Sequence, residues 1–265
     1  MSLLLDILAS KRREIAQLRA RARRKARSRE PIDVPEALRR HAGAPLRLIA
    51  EVKLRSPSAG ALSLSLSPAD RAVAYRDAGA AMVSVLCDGP FFGGSWDHLE
   101  AARDALDTGG RRVPLLAKEF VLDERQIDEA SDRGADAVLL IARIVDRTRL
   151  AHLAMAARAL RIEPLVEVVD ERELDAAMAA RARVIGVNAR DLDTLAMDPA
   201  RAARLLAAVP ADAVAVHFSG LRDAAGVKQV ARGRADAALV GEALMREGDP
   251  RPLLRSMLAG AETST

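Results

Sequence analysis

Short aliphatic segments alternate with longer amphipathic segments eight times between residues 46 and 265. The aliphatic segments are typical of buried parallel strands, which are predicted at 46–53, 82–87, 113–118, 137–142, 164–168, 184–188, 213–219 and 237–241. Helices bounded mainly by glycine or proline are predicted between them, at 70–78, 96–106, 124–133, 147–160, 171–180, 199–208, 222–231 and 252–259. Eight such units of about 25–30 residues predict a (β/α)8 barrel. A doubly wound open sheet is disfavoured because the sequence has no G-x-G-x-x-G turn.

Length and composition favour one barrel domain preceded by a helical extension. Of the 265 residues, 50% are hydrophobic but only 2% are aromatic, so the core must be built from small aliphatic side chains. We expect the barrel to occupy 46–265 and the extension 1–45. Residues 2–28 are predicted to form one helix, with an apolar stripe of Leu4, Leu8, Ile15, Leu18 and Ala22.

The positive charge of the chain is concentrated in its first segment. Residues 1–29 contain ten Lys or Arg against Asp6 and Glu14, a net charge of +8, whereas the remaining 31 basic and 35 acidic residues give −4. Three interpretations are open for this Arg-rich face: a solvated surface, an arm that attracts an anionic substrate, or a nucleic-acid contact. The face has no interleaved aromatic residues to stack on bases, so we expect no nucleic-acid partner.

Cysteine and histidine usage argues against a metal site. Cys87 is the single cysteine, and the four histidines, at 41, 98, 152 and 217, fall on separate predicted elements. A lone thiol is consistent with a reducing, cytoplasmic protein. The leucines at 3–5 are followed by charge, and no apolar segment reaches the length of a membrane span, so we expect no signal peptide and no membrane contact.

Polar residues gather where the predicted strands end, which is where barrels carry their active sites. They are Glu51, Lys53, Lys118, Glu167, Asn188, Arg190, Ser219, Gly220, Gly241 and Glu242. Two lysines and two glutamates at one mouth form an acid–base set, and the glycines after the last two strands occupy the usual phosphate position. A phosphorylated small molecule is therefore the expected substrate. Taken singly, a Glu51–Lys53 pair is also typical of a solvated edge strand, and a lysine ending a strand is commonly a surface residue.

Several motifs in these positions resemble indole-3-glycerol-phosphate synthase, and the resemblance covers nearly the whole chain. The motifs are Ile49-Ala-Glu-Val-Lys, Ser56-Pro-Ser, Val83-Ser-Val-Leu-Cys-Asp, Phe91-Phe, Ala117-Lys-Glu-Phe, Leu165-Val-Glu-Val, Ile185-Gly-Val-Asn-Ala-Arg-Asp-Leu, Ser219-Gly and Leu239-Val-Gly-Glu-Ala-Leu-Met. The resemblance implies a (β/α)8 enzyme of tryptophan biosynthesis. Such an enzyme closes the indole ring of 1-(2-carboxyphenylamino)-1-deoxyribulose 5-phosphate with loss of CO2 and water, without metal or cofactor. Contact with other enzymes of that pathway is left open.

The resemblance also implies roles for individual residues. Lys118 resembles the general acid that protonates the ribulose carbonyl, and Glu167 the carboxylate that assists dehydration. Lys53 matches the lysine near the substrate carboxylate and the leaving hydroxyl, with Glu51 as its ion-pair partner. The remaining implied residues are Asn188, which acts in catalysis with these four; Ser56, Ser84, Phe92, Phe120, Arg190 and Ser219, which bind substrate; and Gly220, Gly241 and Glu242, which bind phosphate. The family's N-terminal extension lies over the barrel mouth, which implies the same for residues 2–28.

The chain departs from the family pattern at three positions. Glu119 stands where the family usually has Asp, and Cys87 where it usually has Thr. Phe218, preceded by His217, stands where a Glu is common, so a carboxylate is missing from the mouth. Three alternatives follow: a paralogue of this enzyme with another substrate in specialised metabolism, a Schiff-base aldolase-like enzyme with Lys118 as nucleophile, and a non-catalytic module that binds nucleic acid through its basic helix.

Overall fold

Eight parallel strands close into a barrel in the computed structural model, which describes residues 3–18, 30–57, 60–62 and 65–262. In chain order the strands of the molecule are β1 Arg47–Val52, β2 Arg55–Ser56, β3 Gly60–Ala61, β4 Met82–Leu86, β5 Leu115–Lys118, β6 Ala137–Ile141, β7 Glu163–Val168, β8 Val184–Asn188, β9 Val214–Phe218 and β10 Ala237–Val240. Strands β4 to β10 pair in sequence, and β1 closes the ring by pairing with both β10 and β4. The predicted fold class is confirmed.

Successive residues of each barrel strand point to opposite sides of the barrel wall, as the strand period requires. One set of side chains, which includes Ile49, Met82 and Leu116, fills the interior of the barrel. The alternate set, which includes Leu48, Val83 and Leu115, packs under the helices. Both sets are aliphatic, which explains how a chain so poor in aromatic residues builds a closed core.

The helices cover the outside of this barrel. They are α1 Leu3–Gln17, α2 Val34–Leu38, α3 Pro68–Ala78, α4 Gly89–Phe92, α5 Trp96–Asp107, α6 Glu124–Asp132, α7 Arg147–Ala159, α8 Glu171–Ala179, α9 Pro199–Ala208, α10 Ala224–Ala231, α11 Glu242–Arg246 and α12 Arg251–Gly260. Most of the long helices start at a Ser or Asp cap; Asp123, for example, accepts from the Arg125 backbone N–H and forms a capping box with Gln126. The short helices α2, α4 and α11 and the β2–β3 hairpin were not predicted, because segments of two to five residues show no periodicity.

Helix α1 carries a buried stripe that differs from the predicted one. The buried residues are Leu4, Ile7, Lys11 and Ile15, spaced three or four apart, whereas Leu8 and Leu18 are half-buried. The described helix ends at Gln17, and the predicted continuation through 28, with Ala22, falls almost entirely outside the described residues. The division into an extension at 1–45 and a barrel at 46–265 stays a prediction. Within the described residues, no helix combines the length and apolar character that a membrane crossing requires.

Candidate active site

A cavity of about 860 Å³ opens at the carboxyl ends of the barrel strands. Strand ends supply its floor, with Glu51 of β1, Lys118 of β5 and Glu167 of β7. Other parts of its wall come from the apolar side chains of α1 and of the loop after β8. Every predicted site residue except Ser84 lines it, namely Glu51, Lys53, Ser56, Phe92, Lys118, Phe120, Glu167, Asn188, Arg190, Ser219, Gly220, Gly241 and Glu242.

Glu51 bridges the two lysines of the cavity. Its Oε1 lies 3.1 Å from Lys53 Nζ and its Oε2 lies 3.2 Å from Lys118 Nζ. The carboxylate is 3% exposed. Burial alone would raise the pKa of Glu51, but the ammonium groups of Lys118 and Lys53 outweigh burial and lower it. Glu51 is therefore ionised at neutral pH and holds both lysines by ion pairs.

Lys118 is held in its charged form at the centre of the cavity. Burial would lower its pKa, but the carboxylates of Glu51 and Glu167 raise it above the ordinary lysine value. Its Nζ also lies 4.5 Å from the centroid of the Phe218 ring, the geometry of a cation–π contact. Phe218 thus places an aromatic face beside the ammonium.

Glycine at position 186 makes room for that ring. A Cβ atom built on Gly186 would lie 2.7 Å from Phe218 Cζ, closer than Cβ atoms approach other side chains, and would make a tight contact of 3.1 Å with Leu165 Cδ2. Gly186 lies on β8 beside Phe218 on β9, and the strand register pairs it with Val216. The position of the Phe218 ring therefore depends on the absence of a side chain on the neighbouring strand.

A second group of polar side chains runs across β7, β8 and the end of β9. Asn188 Nδ2 donates to Glu167 Oε1 at 2.8 Å, and Asn188 Oδ1 accepts from Ser219 Oγ at 2.8 Å and from the Arg190 N–H at 2.9 Å. Burial raises the pKa of Glu167, although Lys118 and Asn188 pull it back towards the ordinary value. A carboxylate with a raised pKa that is oriented by an amide is suited to accept and return a proton.

Two phenylalanines form an apolar wall of the cavity. The rings of Phe92, at the end of α4, and Phe120, two residues after β5, have centroids 5.9 Å apart and planes inclined by 34°. Both line the cavity together with Leu4 and Ile7 of α1. This wall suits a planar aromatic group better than a charged one.

The predicted phosphate residues follow strands β9 and β10 and line the cavity. Ser219 and Gly220 both have positive φ, at 72° and 88°, so the chain turns sharply here and exposes backbone N–H groups. Gly241 has a further constraint: a Cβ atom there would lie 2.6 Å from Glu51 Oε1. The Glu242 carboxylate pairs with Arg246 at 2.8 Å, and this hydrogen bond lowers its pKa.

Ser84 is placed differently from the other predicted substrate-binding residues. It is fully buried, lies on β4 opposite Glu51 in the strand register, and does not line the cavity. His217 is also outside the cavity, because Phe218 points inward and the adjacent side chain must point outward. The His217 Nε2–H donates to the Ser219 carbonyl at 2.9 Å, and burial lowers the pKa of the imidazole.

Sequence reasoning missed several lining residues. Arg222 and Arg246 add positive charge near the glycine turns, and Leu192 and Leu195 belong to the loop after β8. The two arginines could have been predicted from the sequence, since each follows a predicted phosphate glycine by two to five residues. Within the described residues, no cluster of three or more His, Cys, Asp or Glu has the arrangement of a metal site.

Comparison with known proteins identifies the family. A sequence model of the family described as indole-3-glycerol phosphate synthase matches residues 4–257. The chain belongs to the indole-3-glycerol phosphate synthase family. Relatives of that name include the protein of Mycobacterium ulcerans, 43% identical over 88% of this chain and 84% of its own length, and that of Micrococcus luteus, 42% identical over 97% and 94%. The relative named indole-3-glycerol phosphate synthase 2 of Streptomyces coelicolor is 47% identical over 80% and 81%.

Solved structures that resemble this synthase-family chain support the fold alone. 3-Hexulose-6-phosphate synthase from Salmonella typhimurium superimposes with a TM-score of 0.63 at 17% identity, covering 81% of this chain and 98% of that one. Tryptophan synthase from M. tuberculosis superimposes with a TM-score of 0.60 at 17% identity, covering 86% and 97%. At such low identity these likenesses establish the barrel and nothing about the substrate.

Proposed function

We propose that this chain converts 1-(2-carboxyphenylamino)-1-deoxyribulose 5-phosphate into indole-3-glycerol phosphate, CO2 and water. One observation carries the proposal: in a chain of this family, a charged Lys118 and a carboxylate of raised pKa, Glu167, face one cavity of about 860 Å³. These are the acid and the base that ring closure and dehydration require. Their roles, and those of the other site residues, are part of the proposal.

In the first step the aromatic carbon that bears the carboxylate attacks the C2′ carbonyl of the sugar chain. A carbon–carbon bond forms, and the carbonyl oxygen takes a proton from the Lys118 ammonium. Glu51 favours this proton transfer, because its carboxylate holds Lys118 charged and directed into the cavity. A buried cation beside the developing alkoxide stabilises the transition state more than it would in water.

Decarboxylation then restores the aromatic ring. The bond to the carboxylate breaks, CO2 leaves, and its electron pair returns to the ring. The Phe92–Phe120 wall supports this step, because an apolar surface disfavours the charged carboxylate more than the neutral CO2 that it becomes. Lys53, paired with Glu51 at 3.1 Å, is assigned to orient the carboxylate before it leaves.

Dehydration completes the indole. The C2′ hydroxyl leaves as water with a proton from a lysine of the cavity, and Glu167 removes the proton from C1′, so that the new double bond forms. Asn188 keeps the Glu167 carboxylate aligned through its 2.8 Å hydrogen bond. Ser219 fixes the other end of the same amide, which ties the base to the strand that carries the phosphate turn.

The phosphate end is assigned to backbone rather than to carboxylate side chains. The N–H groups of Gly220, Gly241 and Glu242 belong to the turn after β9 and the start of α11, where backbone donors favour an anion. Arg222 and Arg246 line the same cavity and add positive charge. Arg190 is assigned to the hydroxyls of the sugar chain.

The test is turnover of the carboxyphenylamino-deoxyribulose phosphate by the purified protein, followed by indole fluorescence. The wild type should form the product and Lys118→Ala should lose activity by at least about 10³-fold, since it loses both the acid and the cation of the transition state. Lys228→Ala is the matched control: it removes an exposed lysine of α10 and should retain full activity. A folded wild type without turnover would reject the proposal.

A paralogue with another substrate is the second candidate, and Phe218 is the observation that favours it. The buried ring stands beside Lys118 at a position where the family resemblance implies a carboxylate, so the ammonium has one negative charge fewer next to it. If the change altered the substrate, Phe218→Glu should raise turnover of the carboxyphenylamino substrate; if it is a tolerated variation, the variant should be no faster than wild type.

The aldolase alternative is disfavoured, because a Schiff-base lysine must be neutral and Lys118 is held charged by Glu51 and Glu167.

Two further expectations concern the location of the protein and its partner enzymes. A cytoplasmic location is proposed from the lone cysteine, Cys87, which is buried and unpaired among the described residues. Burial raises the pKa of this thiol further, so that it stays protonated. Contact with other enzymes of tryptophan biosynthesis remains a proposal that co-purification would test.

A further inference from the structure

A buried ion cluster joins α1 to the ends of β4 and β5, next to the catalytic cavity. Lys11 of α1 is 1% exposed, and its Nζ lies 2.8 Å from Asp88 Oδ1 and 3.0 Å from Glu119 Oε1. Glu14, one turn further along α1, provides a third carboxylate at 2.8 Å. Burying a lysine and two carboxylates costs free energy that helix packing by apolar residues would avoid. The chemistry of the reaction assigns none of these groups a role.

Asp88 connects this cluster to the first ring of the aromatic wall. While Oδ1 contacts Lys11, Oδ2 accepts the backbone N–H groups of Phe91 at 2.8 Å and Phe92 at 3.0 Å. Asp88 is thereby the N-cap of α4, the four-residue turn that ends at Phe92. The orientation of the Asp88 carboxylate therefore sets the backbone that carries the Phe92 ring.

Glu119 makes the equivalent connection to the second ring. Its Oε1 contacts Lys11 and also accepts the backbone N–H of Phe120 at 2.7 Å. Glu119 directly follows Lys118, so the same short segment carries the catalytic ammonium, the carboxylate of the cluster and the ring of the wall. One lysine on α1 thus touches both carboxylates that hold the two wall residues.

We propose that Lys11 is a positioning residue for substrate: by bridging Asp88 and Glu119 it fixes the Phe92–Phe120 wall against which the carboxyphenyl group of the substrate lies. This inference rests on the proposed function for the identity of the aryl group, but not for the geometry of the wall. Helix α1 then does more than cover the mouth, because a charge on it adjusts the surface that selects an aromatic substrate.

The test uses fluorine NMR together with kinetics. The chain has four phenylalanines, Phe91, Phe92, Phe120 and Phe218, so uniform labelling with 4-fluorophenylalanine gives four resonances. Lys11→Met should shift those of Phe92 and Phe120 and leave Phe218 in place. It should also raise KM on the order of tenfold while kcat changes less than about threefold, the pattern of lost binding rather than lost chemistry. Unmoved Phe92 and Phe120 resonances, or an unchanged KM, would overturn the proposal.

Ile15→Ala is the matched control. Ile15 is buried on the same stripe of α1 but lines no part of the cavity, so its truncation loosens the helix without touching Asp88 or Glu119. If Ile15→Ala reproduced the shifts and the KM of Lys11→Met, helix docking alone would explain both and the proposal would fail. If Lys11→Met did not fold, Lys11→Arg would decide instead, since its guanidinium alters the geometry of both contacts: the Phe92 and Phe120 resonances must then move.

The two proposals fail separately. A wild type that leaves the carboxyphenylamino substrate unchanged rejects the proposed function, yet the fluorine spectra still decide whether Lys11 sets the wall. An active wild type with spectra indifferent to Lys11 rejects the positioning role alone.

Discussion

Lys11 and Lys118 both place an ammonium group among buried carboxylates near the barrel mouth, and they differ in what surrounds the nitrogen. Lys11 contacts three carboxylates within 3.1 Å and is 1% exposed. Lys118 contacts Glu51 at 3.2 Å, faces an aromatic ring on another side, and keeps 17% of its side chain exposed to the cavity. An ammonium has three N–H donors. A lysine whose donors are all used can only hold structure together, whereas one with donors left over can deliver a proton.

The largest expected effect tests whether Glu51 keeps Lys118 charged. Glu51→Gln should lower kcat by about 10²–10³-fold, because the ammonium loses its main ion-pair partner and its alignment. The pKa of Lys118 should fall with the loss of Glu51, so the basic limb of the kcat/KM profile should move to lower pH. A profile measured from pH 5 to about 11.5 checks this, because the wild-type limb lies above the ordinary lysine pKa. The exposed Glu171→Gln on α8 is the control. An unmoved basic limb would mean that Lys118 is not the group titrating there.

The next prediction concerns the stability of the protein instead of its activity. Lys11→Met should lower the free energy of unfolding by about 3–5 kcal/mol, because it leaves buried carboxylates without a counter-charge. Lys118→Met should cost within about 1 kcal/mol, since Glu51 still pairs with Lys53 and Glu167 keeps its hydrogen bond from Asn188. Urea unfolding of the two variants gives both numbers. A Lys118 variant less stable than the Lys11 variant would break the distinction between the two lysines.

The Lys11 cluster also predicts how stability depends on pH. Burial raises the pKa of Glu119 to about 7, against the opposing pull of Lys11, because two buried carboxylates share one lysine. A folded pKa above the unfolded one means that the folded state binds the proton more tightly. Stability from this group is therefore fully present below pH 4.5 and is lost as the pH rises through about 7.

Glu119→Gln isolates this contribution, because the amide keeps the size of the side chain and cannot titrate. The difference in unfolding free energy between wild type and variant should become less favourable to the wild type between pH 5 and pH 7.5. A difference that stays constant over this range would show that Glu119 is ionised throughout, with Lys11 dominating burial.

The same contrast explains which parts of the molecule were predictable. Lys118 and Glu167 were found because a barrel sends all strand ends to one mouth, so position along the chain was enough. Lys11 was missed because a search for apolar periodicity rejects a lysine, although its spacing from Leu4 and Ile7 continues the buried stripe. Its partners Asp88 and Glu119 lie just after strands β4 and β5, about 75 and 110 residues away, and pattern alone does not reveal such contacts.

Two site features depended on side-chain geometry in the same way. Gly241 was expected to serve phosphate, and the structure adds that a side chain there would collide with Glu51. Ser84 belongs to a motif of the family, yet it is fully buried and does not line the cavity, although its register partner Glu51 does. Spacing shows which residues reach the mouth of a barrel, but contacts across neighbouring strands decide which of them face the cavity.

The smallest expected effect concerns the ring beside Lys118. Phe218→Leu should cost about 1 kcal/mol of cation–π stabilisation and move the basic limb slightly to lower pH, because the ring favours the charged lysine. Gly186→Ala offers a second route to the same contact, since its Cβ would lie 2.7 Å from the ring and force it aside. The double variant should then shift the limb no further than Phe218→Leu alone. Shifts that add would mean that Gly186 acts on the site by some route other than Phe218.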